Sequence, residues 1–281
     1  MDKKIAAIQM VSTGNVESNL MAAEKLIASA CEQGAKLVLL PENFAVLDGG
    51  PLRQYAEQEG DVDARLQNFL SEQSRLHKII LVAGTIPLIS RPGDSQSPPS
   101  IVSDGRVRPA CLVYDATGTI IARYDKIHLF DVMVDDRQAQ YSESRSFEPG
   151  DQVVSVSTPL GELGLTICYD LRFPELYRQL FDRKVDLVTV PSAFTKTTGI
   201  AHWEALLRAR AIENQCYVIA ANQGGIHNES RETFGHSMII DPWGSVLGCV
   251  PQGEGVVIAE VKQELLNRIR GNMPVASHRR L

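Results

Sequence analysis

The sequence lacks the features that mark a membrane-spanning, secreted or metal-dependent protein. No apolar run approaches the length of a spanning helix, and the N-terminal apolar stretch breaks at Gln9, well short of a signal-peptide core. It contains no Cys-x-x-Cys pair, no His-Glu-x-x-His motif and no Gly-x-Gly-x-x-Gly after a predicted strand. These absences argue against a zinc site, a dithiol redox site and a dinucleotide site. We therefore expect neither a metal nor a cofactor.

The cysteines and the charges narrow the class of protein further. An odd number of widely scattered cysteines does not fit a disulfide framework: Cys31, Cys111, Cys168, Cys216 and Cys249. The 34 acidic and 28 basic residues give a net charge of -6 without a long block of one sign. A nucleic-acid or membrane partner is not indicated by such a charge pattern. We expect reduced thiols, a cytoplasmic location and a small-molecule substrate.

Short apolar stretches alternate with amphipathic ones along the whole chain. Strands are predicted at residues 4–8, 36–40, 79–86, 153–156, 162–168, 186–190 and 217–221. Helices are predicted at residues 19–32, 63–77, 174–184, 202–213 and 263–272, hairpins at 109–126 and 236–250, and a loop at 91–100.

The second half of the chain repeats the order of the first, and no linker separates the two halves. We therefore predict one domain over residues 1–281. Two similar halves with hairpins favour an α/β fold in which two mixed sheets pack face to face with helices outside, a four-layer α-β-β-α sandwich.

Cys168 lies in the stretch GLTICYDLRFPELY, where a predicted strand gives way to a helix. A single cysteine is usually a small buried hydrophobe. At the carboxyl end of a strand in an α/β sheet, however, backbone N–H groups and a helix dipole surround a ligand crevice. These groups predict an exposed, easily ionised thiol that acts as a nucleophile.

Glu42 and Lys126 also stand where predicted strands end, in KLVLLPENF and ARYDKIHLFD. Each alone is compatible with a solvated surface residue. Together with Cys168 they supply a base, an oxyanion-stabilising cation and a nucleophile, which acyl transfer requires. In the mechanism this predicts, the backbone N–H of Tyr169 assists Lys126 at the oxyanion.

Other residues are weaker candidates for substrate contact. Arg172 is suited to binding a substrate carboxylate, although an ion pair with Asp170 or Glu175 is an equal alternative. Thr195 and Thr198 lie in a predicted loop after PSAF, where contact with substrate and simple turn formation are both compatible with the sequence.

His128 is an alternative candidate for the base that activates the Cys168 thiol. It lies two residues after Lys126, and a Cys-His protease would use it as the base. A redox role for Cys168 is disfavoured because no resolving cysteine is nearby in the sequence.

The segments PENF, YDKIHLFD and LTICYDLRFPELYR resemble the three signature segments of the nitrilase superfamily of carbon-nitrogen hydrolases, in the expected order. The resemblance implies that Glu42 is the general base, Lys126 the oxyanion-stabilising cation and Cys168 the nucleophile. It also implies a supporting role for Glu143, in YSESRSFEPGD. The superfamily has the α-β-β-α sandwich and forms homodimers or higher homo-oligomers.

A longer stretch, PSAFTKTTGIAHWEALLRARAIENQCYVIAANQGG, and the hairpin HSMIIDPWGSV resemble the deaminated glutathione amidase branch of the superfamily. This resemblance implies hydrolysis of the carboxamide of a small acid amide through a cysteine thioester, which we expect to release ammonia. An ω-amidase acting on 2-oxoglutaramate and a catalytically silent scaffold of the same fold are the alternatives. The basic tail, residues 272–281, is a candidate for docking on a partner subunit.

Overall fold

The computed structural model describes residues 3–47, 50–60, 64–93 and 97–280. Its strands, in chain order, are β1 (Lys4–Gln9), β2 (Ala35–Leu39), β3 (Ile80–Val82), β4 (Ile86–Leu88), β5 (Ser90–Arg91), β6 (Ser100–Ile101), β7 (Arg108–Tyr114), β8 (Ile120–Asp125), β9 (Asp131–Met133), β10 (Gln140–Ser142), β11 (Ser155–Thr158), β12 (Gly161–Leu165), β13 (Leu187–Ser192), β14 (Tyr217–Asn222), β15 (Ser237–Ile240), β16 (Val246–Val250) and β17 (Gly255–Glu260).

The α-helices of the described residues are α1 (Val16–Glu32), α2 (Leu52–Gln58), α3 (Arg65–His77), α4 (Pro174–Asp182), α5 (Lys196–Asn214), α6 (Gln263–Asn272) and α7 (Val275–His278). Two short 3₁₀ helices cover Glu143–Arg145 and Cys168–Arg172. Among these helices, none combines the length and the apolar character that crossing a membrane requires.

The first sheet has the strand order β17-β1-β2-β3-β7-β4, with β8 paired to β7. Its central strand β1 is buried on both faces, as is typical of a strand between two helical or sheet layers. Ile5 and Ala7 pack in the core between the sheets, whereas Ala6 and Ile8 pack in a second core beneath α1 and α3. This alternation explains why β1 is a continuous apolar run in the sequence.

The second sheet has the order β11-β12-β13-β14-β15-β16, with parallel pairing from β12 through β14. The helices α4 and α5 cover its outer face with Leu180, Trp203 and Leu207. Its inner face shares one core with the first sheet. The four layers form the predicted α-β-β-α sandwich.

Most elements predicted from the sequence are confirmed, including both hairpins and the helices α1, α3, α4 and α6. The helix α1 begins three residues earlier than predicted, because the Asn15 side chain caps it by accepting the Ser18 N–H at 3.0 Å. Residue 63 of the predicted helix at 63–77, residues 94–96 of the predicted loop and residue 281 of the tail lie outside the described residues.

The helix predicted at residues 202–213 begins much earlier, at Lys196, so the loop predicted around Thr195 and Thr198 is wrong. Thr195 is the N-cap residue of α5 and Thr198 lies in its first turn. Gly199 disfavours helix in isolation, but a Cβ there would lie 2.3 Å from the Phe234 side chain. Close packing, which the local sequence does not reveal, therefore requires this glycine within a helix.

The sequence analysis also missed β17, α2 and the hairpin of β9 and β10. β17 is antiparallel to β1 along its whole length, so the end of the second half completes the first sheet. The strand predicted at 79–86 is two strands, β3 and β4, separated at Gly84. The strand predicted to reach residue 168 ends at Leu165.

Gly84 allows the close approach of two segments that position Glu42. Its φ is +59°, and a Cβ at this position would lie 2.0 Å from the Pro41 carbonyl oxygen. We expect Gly84→Ala to lower the free energy of unfolding by about 2 kcal/mol or more, because left-handed strain and a backbone clash add together.

Gly105→Ala is the matched control, since Gly105 also has a positive φ, +87°, but has no atom within 4 Å of its would-be Cβ. Gly105→Ala should lower the free energy of unfolding only by the strain of the left-handed conformation, about 1 kcal/mol. Urea unfolding of both variants measures the difference. Equal losses of stability in the two variants would show that the close approach of Gly84 to Pro41 does not affect the free energy of unfolding.

Two residues of the C-terminal tail contact other parts of the same chain. The Met273 carbonyl accepts a hydrogen bond from Gln215 at 2.7 Å, and Arg279 forms a 2.6 Å ion pair with Asp182 of α4. Docking of residues 272–281 on a partner subunit stays a prediction.

Candidate active site

The turn that carries Cys168 is held by one buried carboxylate. Cys168 has a φ of +46°, a left-handed conformation that costs a residue with a Cβ roughly 1–2 kcal/mol. Asp170, fully buried, accepts the Ile167 N–H at 2.8 Å and the Tyr124 hydroxyl at 2.6 Å. These bonds fix the backbone on both sides of the cysteine and compensate for the strain.

His128 belongs to the same support. Its backbone N–H donates to Asp170 at 3.0 Å, its Nδ1 lies 2.7 Å from the same carboxylate, and its ring stacks on Phe173 at 3.6 Å. Among the described residues that line the cavity at Cys168, His128 is absent. The arrangement therefore disfavours His128 as the base of a Cys-His pair.

Lys126 lies at the centre of a buried ion cluster. Its Nζ is 2.8 Å from Glu42 Oε1 and 2.8 Å from Glu143 Oε2, and only 1% of Lys126 is exposed. Glu42 also accepts the Ala193 N–H at 2.8 Å, and Glu143 accepts the Phe130 N–H at 2.8 Å. Each charge of the cluster thus has an ionic partner, and both carboxylates also accept a backbone N–H, which is the condition for tolerating charges in a protein interior.

The cluster sets the protonation of the lysine and the thiol. Burial opposes the charged form of Lys126, but Glu143 and Glu42 outweigh burial and raise the pKa of the ammonium well above its usual value. Burial, and after it the charge of Glu42, raises the pKa of the Cys168 thiol, against the opposite effect of Lys126. The lysine is therefore a cation and the cysteine a neutral thiol at neutral pH.

The prediction of an exposed, easily ionised Cys168 is wrong. Only 7% of this residue is exposed, and the cluster of Glu42, Glu143 and Lys126 carries one negative charge in excess. A thiolate would add a second negative charge in a low-dielectric environment. Removal of the thiol proton has to accompany bond formation, which gives a neighbouring base a direct role.

A small inner cavity adjoins the thiol, and a larger outer cavity shares part of its lining. The inner one, about 10 Å³, has room for a group the size of one water molecule, and its described lining residues are Glu42, Phe130, Glu143, Cys168, Tyr169, Ala193, Phe194, Thr195, Thr198 and Arg231. The outer one, about 310 Å³, shares Phe130, Glu143 and Arg231 with it and is otherwise lined by Asn43, Val46, Leu47, Gly50, Leu52, Gln138, Tyr141, Ser142, Ser146 and Phe147. A small reactive group fits the inner cavity and the rest of a ligand the outer one.

The structure brings most of the predicted residues together. Glu42, Glu143, Cys168, Tyr169 and both threonines line the inner cavity, and Lys126 lies immediately behind its two glutamates. Thr195 and Thr198 are linked by a 2.7 Å hydrogen bond between their hydroxyls.

Arg172 is the exception. Its guanidinium lies 5.1 Å from the Phe194 ring centroid and 5.8 Å from that of Tyr169, and it is 3.2 Å from His202 Nδ1. It is not among the described residues that line either cavity. Arg231, which the sequence analysis missed, lines both cavities. Its polar surroundings in the sequence, NESRETF, contain no local signal of such a position.

An α-β-β-α sandwich that gathers a cysteine, a lysine and two glutamates from four distant segments defines a class of hydrolase. The chain belongs to the carbon-nitrogen hydrolase family, whose sequence pattern matches residues 4–270. Family membership agrees with the resemblance of the three segments around Glu42, Lys126 and Cys168.

Individual relatives are similar over almost the whole chain. A deaminated glutathione amidase from Yersinia enterocolitica is 40% identical over 98% of this chain and 92% of its own. The crystal structure of the Caenorhabditis elegans NitFhit protein superposes with a TM-score of 0.84 at 37% identity, covering 100% of this chain and 66% of that one.

A more distant structure concerns the reactive cysteine. An amidase of the nitrilase superfamily from Nesterenkonia sp. AN1, 26% identical with a TM-score of 0.75, covers 98% of this chain and 99% of its own. That structure is of a mutant of the amidase in which glutamine replaces a glutamate, and acrylamide has undergone Michael addition at its active-site cysteine.

Proposed function

We propose that this protein is an amidase that hydrolyses deaminated glutathione through a thioester on Cys168. The observation that carries the proposal is the placement of Glu42 and Cys168 at one small cavity, with the Lys126 ammonium 2.8 Å from Glu42. The similarity to a deaminated glutathione amidase over nearly the full chain supports the choice of substrate.

In the first step Glu42 removes the proton of the Cys168 thiol while sulfur bonds to the amide carbon. The π electrons of the carbonyl move to its oxygen, giving a tetrahedral oxyanion. The Lys126 ammonium and the backbone N–H of Tyr169 stabilise that negative charge. Because the thiol is neutral at rest, the base and the nucleophile act together.

In the second step the oxyanion collapses and the carbon-nitrogen bond breaks. Glu42 returns its proton to the departing nitrogen, which leaves as an amine. Water, deprotonated by Glu42, then attacks the thioester carbonyl. The carbon-sulfur bond breaks to release the acid, and Glu42 passes the proton to the sulfur, which restores the thiol. Glu143 holds Lys126 in place through both steps by its two contacts of 2.8 and 3.0 Å.

The chemistry of the substrate changes one expectation. Both amides of deaminated glutathione are secondary, so the leaving group is an amine and not the ammonia expected for a primary carboxamide. If the γ-amide is cleaved, deaminated glutathione and 2-oxoglutaramate form the same 2-oxoglutaryl thioester and differ only in the leaving group. The 310 Å³ outer cavity favours the larger leaving group.

A catalytically silent scaffold of the same fold is disfavoured by the ion cluster. Two carboxylates around the buried Lys126 ammonium and a cysteine in left-handed conformation both destabilise the folded state relative to an apolar core. A protein that only binds a partner has no need of either feature at the base of a closed cavity.

A panel of amides tests the proposed substrate. We expect kcat/KM for deaminated glutathione to exceed that for 2-oxoglutaramate by at least about tenfold, the factor given by 1.4 kcal/mol. A carbamoyl amino acid and a simple nitrile should react more slowly still. Formation of 2-oxoglutarate from the two amides, and disappearance of the carbamoyl compound and of the nitrile, both followed by chromatography, measure the rates. A preference for the nitrile or for the carbamoyl compound would overturn the choice.

We also propose a cytoplasmic homodimer. All five cysteines are free, which is typical of a reducing compartment. Large apolar side chains are exposed next to one another at the end of α5, the second hairpin and α6: Ile212, Trp243 and Met273. Such a patch is typical of a surface that another subunit covers.

A further inference from the structure

Another cavity, which we call the basal cavity, lies at the end of the sandwich opposite to the active site. Lys36 of β2 and Leu160, directly before β12, line it, whereas Glu42 and Cys168 follow the other ends of the same two strands. Its volume is about 530 Å³, within the range typical of small-molecule sites. It shares none of its described lining residues with the two cavities at Cys168. The basal cavity is therefore separate from the site of the proposed reaction.

The floor of the basal cavity is apolar. Ile80, at the start of β3, and Leu160 belong to the core between the two sheets and are 6% and 3% exposed. Ala116, in the turn between β7 and β8, and Pro159 are exposed and complete the apolar part of the lining. The core between the sheets thus reaches the surface here. A ligand that fills the basal cavity covers apolar surface, which favours a ligand with a hydrocarbon part.

Four lysines also line the basal cavity: Lys3, Lys4, Lys36 and Lys78. No acidic residue is among its described lining residues. None of the four lysines forms an ion pair with a carboxylate in the part of the chain that the structure describes. The Lys4 ammonium donates to the Gln33 carbonyl at 3.1 Å, which is a neutral partner.

This cluster of lysines stands out against the charge of the whole protein. The chain carries a net charge of -6, yet the basal cavity is lined by cations alone among its charged described residues. Lysine stems cover apolar surface while their ammonium groups stay in water at the rim. Four ammonium groups at one rim repel one another, and an anion placed among them relieves that repulsion.

We infer that the basal cavity binds a fatty-acid anion, with the hydrocarbon chain on the apolar floor and the carboxylate among the four ammonium groups. A purely polar anion would leave the floor in contact with water, and a neutral lipid would leave the ammonium groups without a counter-charge. A concave site of this volume takes up the chain of a single molecule, which the surface of a bilayer cannot enter. This inference goes beyond the proposed amidase function and does not depend on it.

Calorimetric titration with octanoate, decanoate and dodecanoate, each below its micellar concentration, tests the apolar part of the site. We expect the Kd to fall by about two- to fourfold for each CH₂ group added, the larger factor corresponding to full burial of that group. Acetate has the carboxylate without the chain, and decyltrimethylammonium has the chain with a positive head. Neither should bind measurably. Binding that does not depend on chain length, or equal binding of the cationic amphiphile, would overturn the inference.

A double charge reversal locates the site. In Lys36→Glu, Lys78→Glu we expect the Kd for decanoate to rise by about tenfold or more, because two attractive charges become repulsive. Both lysines are exposed, so the variant should fold, which circular dichroism checks.

Lys25→Glu, Lys184→Glu is the matched control. It changes the net charge by the same amount at two exposed lysines that do not line the basal cavity. Lys184 also has the left-handed conformation of Lys78, with φ values of +61° and +52°. The Kd for decanoate in this control should stay within about twofold of the wild-type value. Equal weakening in the two double variants would show a general effect of charge and would refute a site among the four lysines.

Sedimentation with phosphatidylserine vesicles distinguishes a free fatty acid from a membrane. We expect the wild-type protein to bind decanoate and to remain in the supernatant. Sedimentation with the vesicles that is lost in Lys36→Glu, Lys78→Glu, without binding of decanoate, would replace the inference by contact with a membrane surface. All these measurements read binding alone, so a failure of the proposed amidase activity would leave their outcome unchanged.

Discussion

The Cys168→Ala variant is expected to lose turnover by a factor of about 10⁴ or more in kcat, because no thioester can form without the sulfur. The protein should remain folded, since alanine retains the Cβ and the turn is held by Asp170 through the backbone and other side chains. Release of 2-oxoglutarate from deaminated glutathione measures the activity, and thermal unfolding monitors the fold.

Cys249→Ala is the matched control, because Cys249 is an exposed cysteine that is not among the described residues lining either cavity. It should retain wild-type activity. Acrylamide provides a second readout: peptide mass spectrometry should find the adduct on Cys168 in the wild-type protein and in Cys249→Ala. Wild-type turnover by Cys168→Ala would refute the covalent mechanism.

Replacing Lys126 is expected to affect both catalysis and folding. Lys126→Met removes a donor to the oxyanion, which typically lowers kcat by roughly 10²- to 10³-fold. It also leaves Glu42 and Glu143 buried together without their common cation, and loss of one partner of a buried pair costs about 3–5 kcal/mol of stability. Initial rates and urea unfolding measure the two effects on the same preparation.

A second substitution separates the two effects of Lys126. In the double variant Lys126→Met, Glu143→Gln, one of the unpaired carboxylates becomes a neutral amide, so much of the lost stability should return. Activity should not return, because the ammonium at the oxyanion is still missing. Recovery of activity along with stability would mean that Lys126 acts only by holding the fold together.

The reactive segments were predictable because each is local in sequence. Glu42, Lys126 and Cys168 follow apolar strand patterns directly, and the carboxyl ends of strands are the usual places for ligand-binding groups. The layers of the sandwich were also predictable, since strands such as β1 and β14 are buried on both faces and are continuous apolar runs.

Elements whose formation depends on distant partners were not predictable. β17, GVVIAE, is an apolar and mostly β-branched run, but its place at the edge of the first sheet depends on its pairing with β1. The first turn of α5 contains Gly199, which is accommodated because Phe234 packs against it. At Gly199 a tertiary contact overrides a weak local preference.

The sequence by itself determined the class of fold, the three residue types of the proposed reaction and their places at strand ends. Only the tertiary structure decided the state of those residues: a neutral Cys168, a Lys126 shared by two glutamates, and Arg231 in the place expected for Arg172. The reason is that the ion pairing and the protonation state of a side chain depend on the charges around it and on its removal from water. Those surroundings come from segments far apart in the chain, as between Glu42 and Lys126, 84 residues from each other.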